Sequence, residues 1–209
     1  MKRRAVLFDV GGPIDMEFAW EIAVDGAIAA SCGMEGVRVD QAMVEEASDK
    51  AVAAFAADTY GHMIETLCGD PVTVARVRHR VEAMTGQLDA FQLRPDIDRL
   101  LRKLRQLRQP GGPGEGLRLG ALNTPWERLE REGLADLFDR GIELPPAACI
   151  LVGDRLDRDI APARAAGMAT IQFRTGRWRK QRPRNEAETP DEVVTDVAEL
   201  EAAIMRLLG

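Results

Sequence analysis

The hydrophobic pattern changes character several times along the chain. Ala5-Val6-Leu7-Phe8 is a continuous apolar run that ends in Asp9 and then in Gly11-Gly12-Pro13. An apolar run beside Gly and Pro predicts a strand buried on both faces of a parallel sheet, here Lys2–Asp9. From about Asp15 to Phe91 the chain is rich in Ala, Val, Met and Glu, with few strand signals. The spacing there predicts helices over Glu17–Ser31, from Asp40 through Ala57, over Tyr60–Cys68, and from Pro71 to about Leu88. Asp40 caps the second, with Ala42, Val44, Ala47, Ala51 and Phe55 on its apolar side. Gly69 stops the third, and Pro71 starts the fourth. Pro95-Asp96-Ile97-Asp98 opens a further helix whose buried stripe is Ile97, Leu100, Leu101, Leu104 and Leu107.

Gln109–Gly116 is a Pro- and Gly-rich break. Beyond it apolar runs return at Leu117–Leu122, Ile150–Gly153 and Thr170–Arg174 and read as strands. Helices are expected at Pro125–Glu132 and Asp159–Ala166, and Val193–Leu208 supplies a last short strand and helix. Thr175–Pro190 reads as a polar, solvated loop. Alternating strands and helices predict an α/β fold built on a doubly wound parallel sheet. The helical stretch is an insertion after the first strand.

Length and charge narrow the picture. A chain of 209 residues suits one core domain plus a modest insertion. A formal charge of −6 gives no general pull towards nucleic acid. No stretch is long enough to span a membrane. Met1-Lys2-Arg3-Arg4 is followed by an apolar run too short for a signal peptide. Cys32, Cys68 and Cys149 are an odd number without a C-x-x-C pair, which predicts reduced thiols and a cytoplasmic protein.

The candidate chemistry lies at strand ends. In open α/β sheets, ligands bind just beyond the carboxyl ends of the strands. Asp9 ends the first strand, and Asp154 follows Ile150-Leu151-Val152-Gly153, with Arg155-Leu156-Asp157-Arg158-Asp159 after it. Two carboxylates at two strand ends suit a hard cation such as Mg²⁺, which often shares its oxygen ligands with a phosphate. Together the stretches resemble the haloacid dehalogenase (HAD) superfamily, whose first motif is D-x-D-x-T/V and whose last is often G-D-x-x-x-x-D. The resemblance implies a Rossmann-like core over 1–14 and 92–209 and an α-helical cap over 15–91 that closes over the site and shapes substrate choice. It implies Asp9 as a nucleophile that takes a phosphoryl group from a small phosphorylated metabolite. Mg²⁺ is then held by Asp9, the main-chain carbonyl of Gly11, Asp154 and Asp159, with Asp157 an alternative. Backbone N–H groups at Gly11 and Gly12 cradle the phosphate, helped by Asn123 or Thr124.

Three features depart from that family pattern. Gly11 stands where the family has a second Asp, its general acid/base. Asn123-Thr124 stands where a strand usually ends in Ser or Thr. No Lys occurs between Asp139 and Ile150, and that segment barely reaches the length of a strand–helix–strand crossover. Arg140, Arg155 and Arg158 are candidates to supply the missing charge. Three functions are therefore compatible with the sequence: a Mg²⁺-dependent phosphohydrolase, a non-catalytic binding protein of the same fold, and a 2-haloacid dehalogenase. Loss of the crossover helix predicts an exposed apolar sheet face that could serve as a homodimer interface. His62 and His79 read as surface or structural residues, Trp20 and Tyr60 as packing. The basic run Arg174–Arg184 reads as solvated rather than RNA-binding.

Overall fold

A computed structural model describes residues 4–108 and 115–209. The expected strand start at Lys2 and most of the Gln109–Gly116 break lie outside the described residues. In chain order the elements are β1 (Ala5–Asp9), α1 (Phe18–Met34), α2 (Gln41–Ala53), α3 (Thr59–Cys68), α4 (Pro71–Thr85), α5 (Ile97–Gln106), β2 (Arg118–Leu122), α6 (Trp126–Arg131), β3 (Cys149–Gly153), α7 (Ala161–Ala166), β4 (Ala169–Phe173), β5 (Glu192–Val194) and α8 (Val197–Leu208). They form two compact units, Met1–Met16 with Leu93–Gly209, and Glu17–Gln92.

The first unit holds a five-stranded parallel sheet in the order β2-β1-β3-β4-β5. β3 and β4 are buried at every position, as unbroken apolar runs require of central strands. Asp9 lies opposite Leu122 and Phe8 opposite Val152, so Asp9, Asn123 and Asp154 emerge at one end of the sheet. The α5 stripe is buried through Ile97, Leu100, Leu101 and Leu104, while its cations point outwards, Lys103 towards Glu201 on α8.

The second unit is all helical. Its core gathers Val24, Ile28 and Cys32 of α1, Val44, Ala47 and Ala51 of α2, Met63 and Ile64 of α3, and Val77 and Val81 of α4. Asp40, Asp58 and Asp70 each accept a backbone N–H at the start of a helix. The expected extension of α2 to Ala57 is not formed. Phe55 takes a left-handed backbone (φ 51°), only half-buried, because the chain must turn before Asp58 can cap α3. Ala42 is exposed rather than on the apolar side. α4 also stops short, at Thr85. Trp20 and Tyr60 pack edge to face, with ring centroids 5.1 Å apart, against this core.

Between α6 and β3 the chain forms only two single 3₁₀ turns, Ala135–Leu137 and Pro146–Ala148. The segment leaves β2 as an edge strand, and Asp139 covers part of that edge. Its N–H donates to the Leu119 carbonyl (2.7 Å), and its carboxylate accepts the Leu119 N–H (2.9 Å). Arg108 and Arg118 pair with the same carboxylate at 3.0 and 3.2 Å. Burial alone would raise the Asp139 carboxyl, but the Leu119 N–H and these two guanidiniums hold it below the usual range. The expected bare apolar face is absent here. Leu7 and Ile142 meet over Gly120, where a Cβ would lie 2.7 Å from Leu7 and 3.0 Å from Ile142. The groove beside them is polar, of about 630 Å³, lined by Arg4, Arg108, Arg118, Asp139 and Arg140.

The stretch Thr175–Pro190 also departs from a solvated loop. It contains short 3₁₀ turns at Arg177–Lys180 and Glu186–Glu188, and Arg177, Trp178, Gln181 and Glu188 are buried. Trp178 lies beneath the Arg155 guanidinium, 4.0 Å from ring centroid to Cζ. The Gln181 side chain accepts the Leu156 N–H at 2.9 Å. These residues wall one side of the strand-end region.

Candidate active site

Asp9 ends β1 and Asp154 follows β3, both placed by apolar runs that bury their strands. After Gly153 the chain winds through a π-type turn, Leu156–Ile160, directly into α7. The helix therefore begins earlier than its expected start at Asp159, and this turn brings Asp159 back towards Asp154. Carboxylate oxygens of Asp9, Asp154 and Asp159 all lie within 4.8 Å of one another. Two glycines make this approach sterically feasible. A Cβ on Gly12 would meet Asp154 Oδ2 at 2.5 Å, and one on Gly153 would meet the Asp159 Cβ at 2.5 Å. Gly12 also has φ +80°, in the left-handed region that glycine tolerates best.

The cluster is largely buried, with Asp154 4% and Asp159 7% exposed. Burial, followed by the charge of Asp9, pushes the Asp159 carboxyl up to about 6. Burial likewise raises Asp9, against hydrogen bonds from Asn123 and the Val10 amide and the charge of Arg155. Three crowded carboxylates with an all-oxygen donor set fit a hard divalent cation, which removes the repulsion that burial aggravates.

The charge balance at Asp159 gives a stability prediction. Its folded pKa is above the unfolded value of 3.8, so between about pH 4 and 6 the folded chain binds the extra proton. Stability from this group falls as pH rises through that window, by about 3 kcal/mol for a shift of about two units. The penalty is absent below about pH 4 and complete above about pH 6. Thermal melts should therefore show Mg²⁺ stabilising the protein clearly at pH 7 and much less at pH 4–5. Asp159→Asn should flatten the pH dependence. Melts insensitive to Mg²⁺ at both pH values would contradict this reading of the cluster.

Around the carboxylates the polar neighbours are specific. Asn123, itself at φ 58°, donates from Nδ2 to Asp9 Oδ1 at 3.0 Å. Thr124, half-buried, follows it. The Arg155 N–H donates to Asp159 Oδ2 at 2.8 Å, while its side chain pairs with Asp157 at 2.7 Å. Asp157 therefore faces Arg155 and Gln181 rather than the carboxylate cluster. Of the three arginines singled out in the sequence, Arg155 is the one whose charge acts on both Asp9 and Asp159. Arg140 lies over Trp126 and pairs with Glu130. Asp15 does not join the cluster; its charge acts on Arg94.

Arg94 escaped the sequence reading. Its guanidinium donates to the Gly12 carbonyl from Nη2 (2.5 Å) and Nε (3.1 Å), to the Pro13 carbonyl (3.1 Å) and to Thr175 Oγ1 (2.6 Å), and it stacks on Phe173 at 4.6 Å. It thus fixes the turn after Asp9 to the end of β4. The pairing of Gly11 with Asp15, and of Asp15 with Leu93, secures the points where the chain leaves and re-enters this unit. A single Arg before Pro95 carries no sequence signal for this role.

Residues 122–200 match the family model described as HAD-hydrolase-like. The whole chain superposes on a predicted phosphoglycolate phosphatase from Haemophilus somnus 129PT with TM-score 0.65 and 16% identity, covering 100% of this chain and 99% of that one. Over residues 122–200 the chain is similar to HAD-like hydrolases. The HAD-hydrolase YfnB of Bacillus subtilis, solved bound to magnesium, gives TM-score 0.60 at 16% identity, over 98% and 99% of the two chains. A HAD family hydrolase from Deinococcus radiodurans R1, solved with phosphate and sodium, gives 0.60 at 18%, over 99% and 96%. At such identities these structures establish the fold alone. Among curated proteins, the glyceraldehyde 3-phosphate phosphatase of Methanopyrus kandleri AV19 is 32% identical over 124 residues, 46% of this chain. The match spans about half the length of that relative.

Proposed function

We propose that this protein is a Mg²⁺-dependent phosphohydrolase acting on a small phosphorylated molecule, with Asp9 as nucleophile. The observation that carries the reading is the strand-end cluster of Asp9, Asp154 and Asp159, with Asn123 bonded to Asp9. The relative from Methanopyrus kandleri, itself a phosphatase, supports it. Asp9, Asp154, Asp159 and the Gly11 carbonyl would hold the cation, which offsets the negative charge of a phosphate brought against carboxylates.

Asn123 fixes the orientation of Asp9, so that its other oxygen faces the phosphorus. That oxygen attacks, the ester P–O bond breaks, and the leaving alkoxide takes a proton from water. Water then cleaves the aspartyl-phosphate, returning the Asp9 carboxylate and inorganic phosphate. Backbone N–H groups at Gly11 and Gly12, with Asn123 or Thr124, would bind the phosphoryl oxygens. Arg155, whose charge acts on Asp9 and Asp159, would supply the positive charge that the family pattern takes from a Lys. The helical unit Glu17–Gln92 is the cap in this reading. Phosphate release from an aryl phosphate and a panel of small phosphate esters, with Mg²⁺ and with a chelator, tests the proposal. Metal-dependent release supports it, and its absence from folded protein over the whole panel rejects it.

A second reading, a binding protein without turnover, is favoured by one observation. The short coil between α6 and β3 replaces the segment that carries the family's Lys. Binding of inorganic phosphate or vanadate without turnover of any ester would select it.

A further inference from the structure

Two of the three cysteines lie together in the helical unit. Cys32 is on α1, fully buried, and Cys68 is the last residue of α3, partly exposed. Their sulfurs are 3.5 Å apart although the residues are 36 positions apart in sequence. A disulfide needs the sulfurs at about 2.05 Å, so the two must approach by roughly 1.5 Å. Cys68 is well placed to make that movement. It ends its helix, and Gly69 follows with φ +71°. Cys149 is separate, in β3 of the other unit, with its thiol against the Pro145 carbonyl at 3.7 Å.

We propose that Cys32 and Cys68 are an oxidation site, a thiol pair that closes to an intramolecular disulfide joining α1 to the end of α3 when the protein meets a small-molecule disulfide such as oxidised glutathione. The order of events follows from exposure. The Cys68 thiolate attacks one sulfur of the glutathione disulfide, whose S–S bond breaks and releases one glutathione thiolate. Cys32 Sγ loses its proton to solvent and attacks Cys68 Sγ, and the second glutathione thiolate leaves. Two protein thiols are oxidised by two electrons, and one glutathione disulfide is reduced to two thiols. Burial and the neighbouring Cys68 thiol push Cys32 up to about 12, which makes the closing step the slow one.

The full-length protein, treated with millimolar oxidised glutathione and then acid-quenched, denatured and alkylated, should take up one alkyl group instead of three. Its mass should be lower by two hydrogens than that of the reduced chain before alkylation. Peptide mapping should find Cys32 joined to Cys68 and Cys149 alkylated. The oxidised protein should melt about 5–10 °C higher, because a cross-link closing a loop of this length restricts the unfolded chain, and dithiothreitol should reverse the shift. Cys149→Ser should retain the link, and Cys68→Ser should lose it. Three alkylated cysteines after treatment, a stable glutathione adduct on Cys68 of the native chain, or a link that survives Cys68→Ser would each overturn the proposal.

Discussion

Asp9→Asn is expected to lower phosphate release by about 10⁴-fold or more, to the background of the assay, because an amide oxygen cannot serve as the attacking nucleophile. The substitution is nearly isosteric. Asn retains an acceptor for the Asn123 side chain, now 3.0 Å from Asp9 Oδ1. It also removes a charge whose burial raises Asp9 itself and whose field raises Asp159. The variant should therefore melt no lower than the native protein without metal, and higher near pH 7. Phosphate release and thermal melting measured on the same preparations separate loss of chemistry from loss of fold. An undiminished rate in Asp9→Asn would remove Asp9 as nucleophile.

The second large effect is a gain. Gly11 brings no carboxylate to the position from which an acid could protonate the leaving group, and such help is typically worth 10²–10⁴-fold. Native turnover should therefore depend steeply on the leaving group, with aryl phosphates far better substrates than alkyl phosphates. Gly11→Asp should raise kcat for alkyl phosphates by roughly 10²-fold and change aryl phosphates little. The backbone allows the test, since the positive-φ glycine of this turn is Gly12 rather than Gly11. Equal alkyl and aryl rates in the native protein, or no gain in the variant, would show that another group already supplies the proton. Asp15 would be the next to substitute, because it pairs with Gly11 through the backbone.

The fold was legible where one physical force sets the pattern. Apolar runs at Ala5–Phe8 and Ile150–Val152 can be buried on both faces only in central strands, and the carboxylates after them necessarily lie at the sheet's carboxyl end. Helix starts at Asp40, Asp58 and Asp70 follow from side-chain caps, although the sequence alone pointed only to Asp40. Helix ends were less legible. The apolar spacing continues through Phe55, but the cap at Asp58 requires a turn first, and that local demand overrides periodicity. The basic run misled for a related reason. Arg, Lys and Gln usually mark solvent, yet Arg177, Trp178 and Gln181 are buried because Trp178 packs under Arg155 and Gln181 satisfies the Leu156 N–H. Arg94 was invisible, since most of its hydrogen bonds run to main-chain carbonyls more than eighty positions away, and backbone acceptors leave no trace in a sequence. The contact of Asn123 with Asp9 separates two neighbouring residues that sequence spacing left equivalent.

The most direct test of the account is to look for the phosphoryl group on Asp9. The protein is mixed with Mg²⁺ and an aryl phosphate, quenched in acid within the first turnovers, digested, and its peptides are weighed. The account predicts one phosphoryl group on the peptide spanning Asp9, labile to hydroxylamine and absent from Asp9→Asn. Turnover under the same conditions with no phosphoryl group on Asp9, or with the label on another residue, would contradict it.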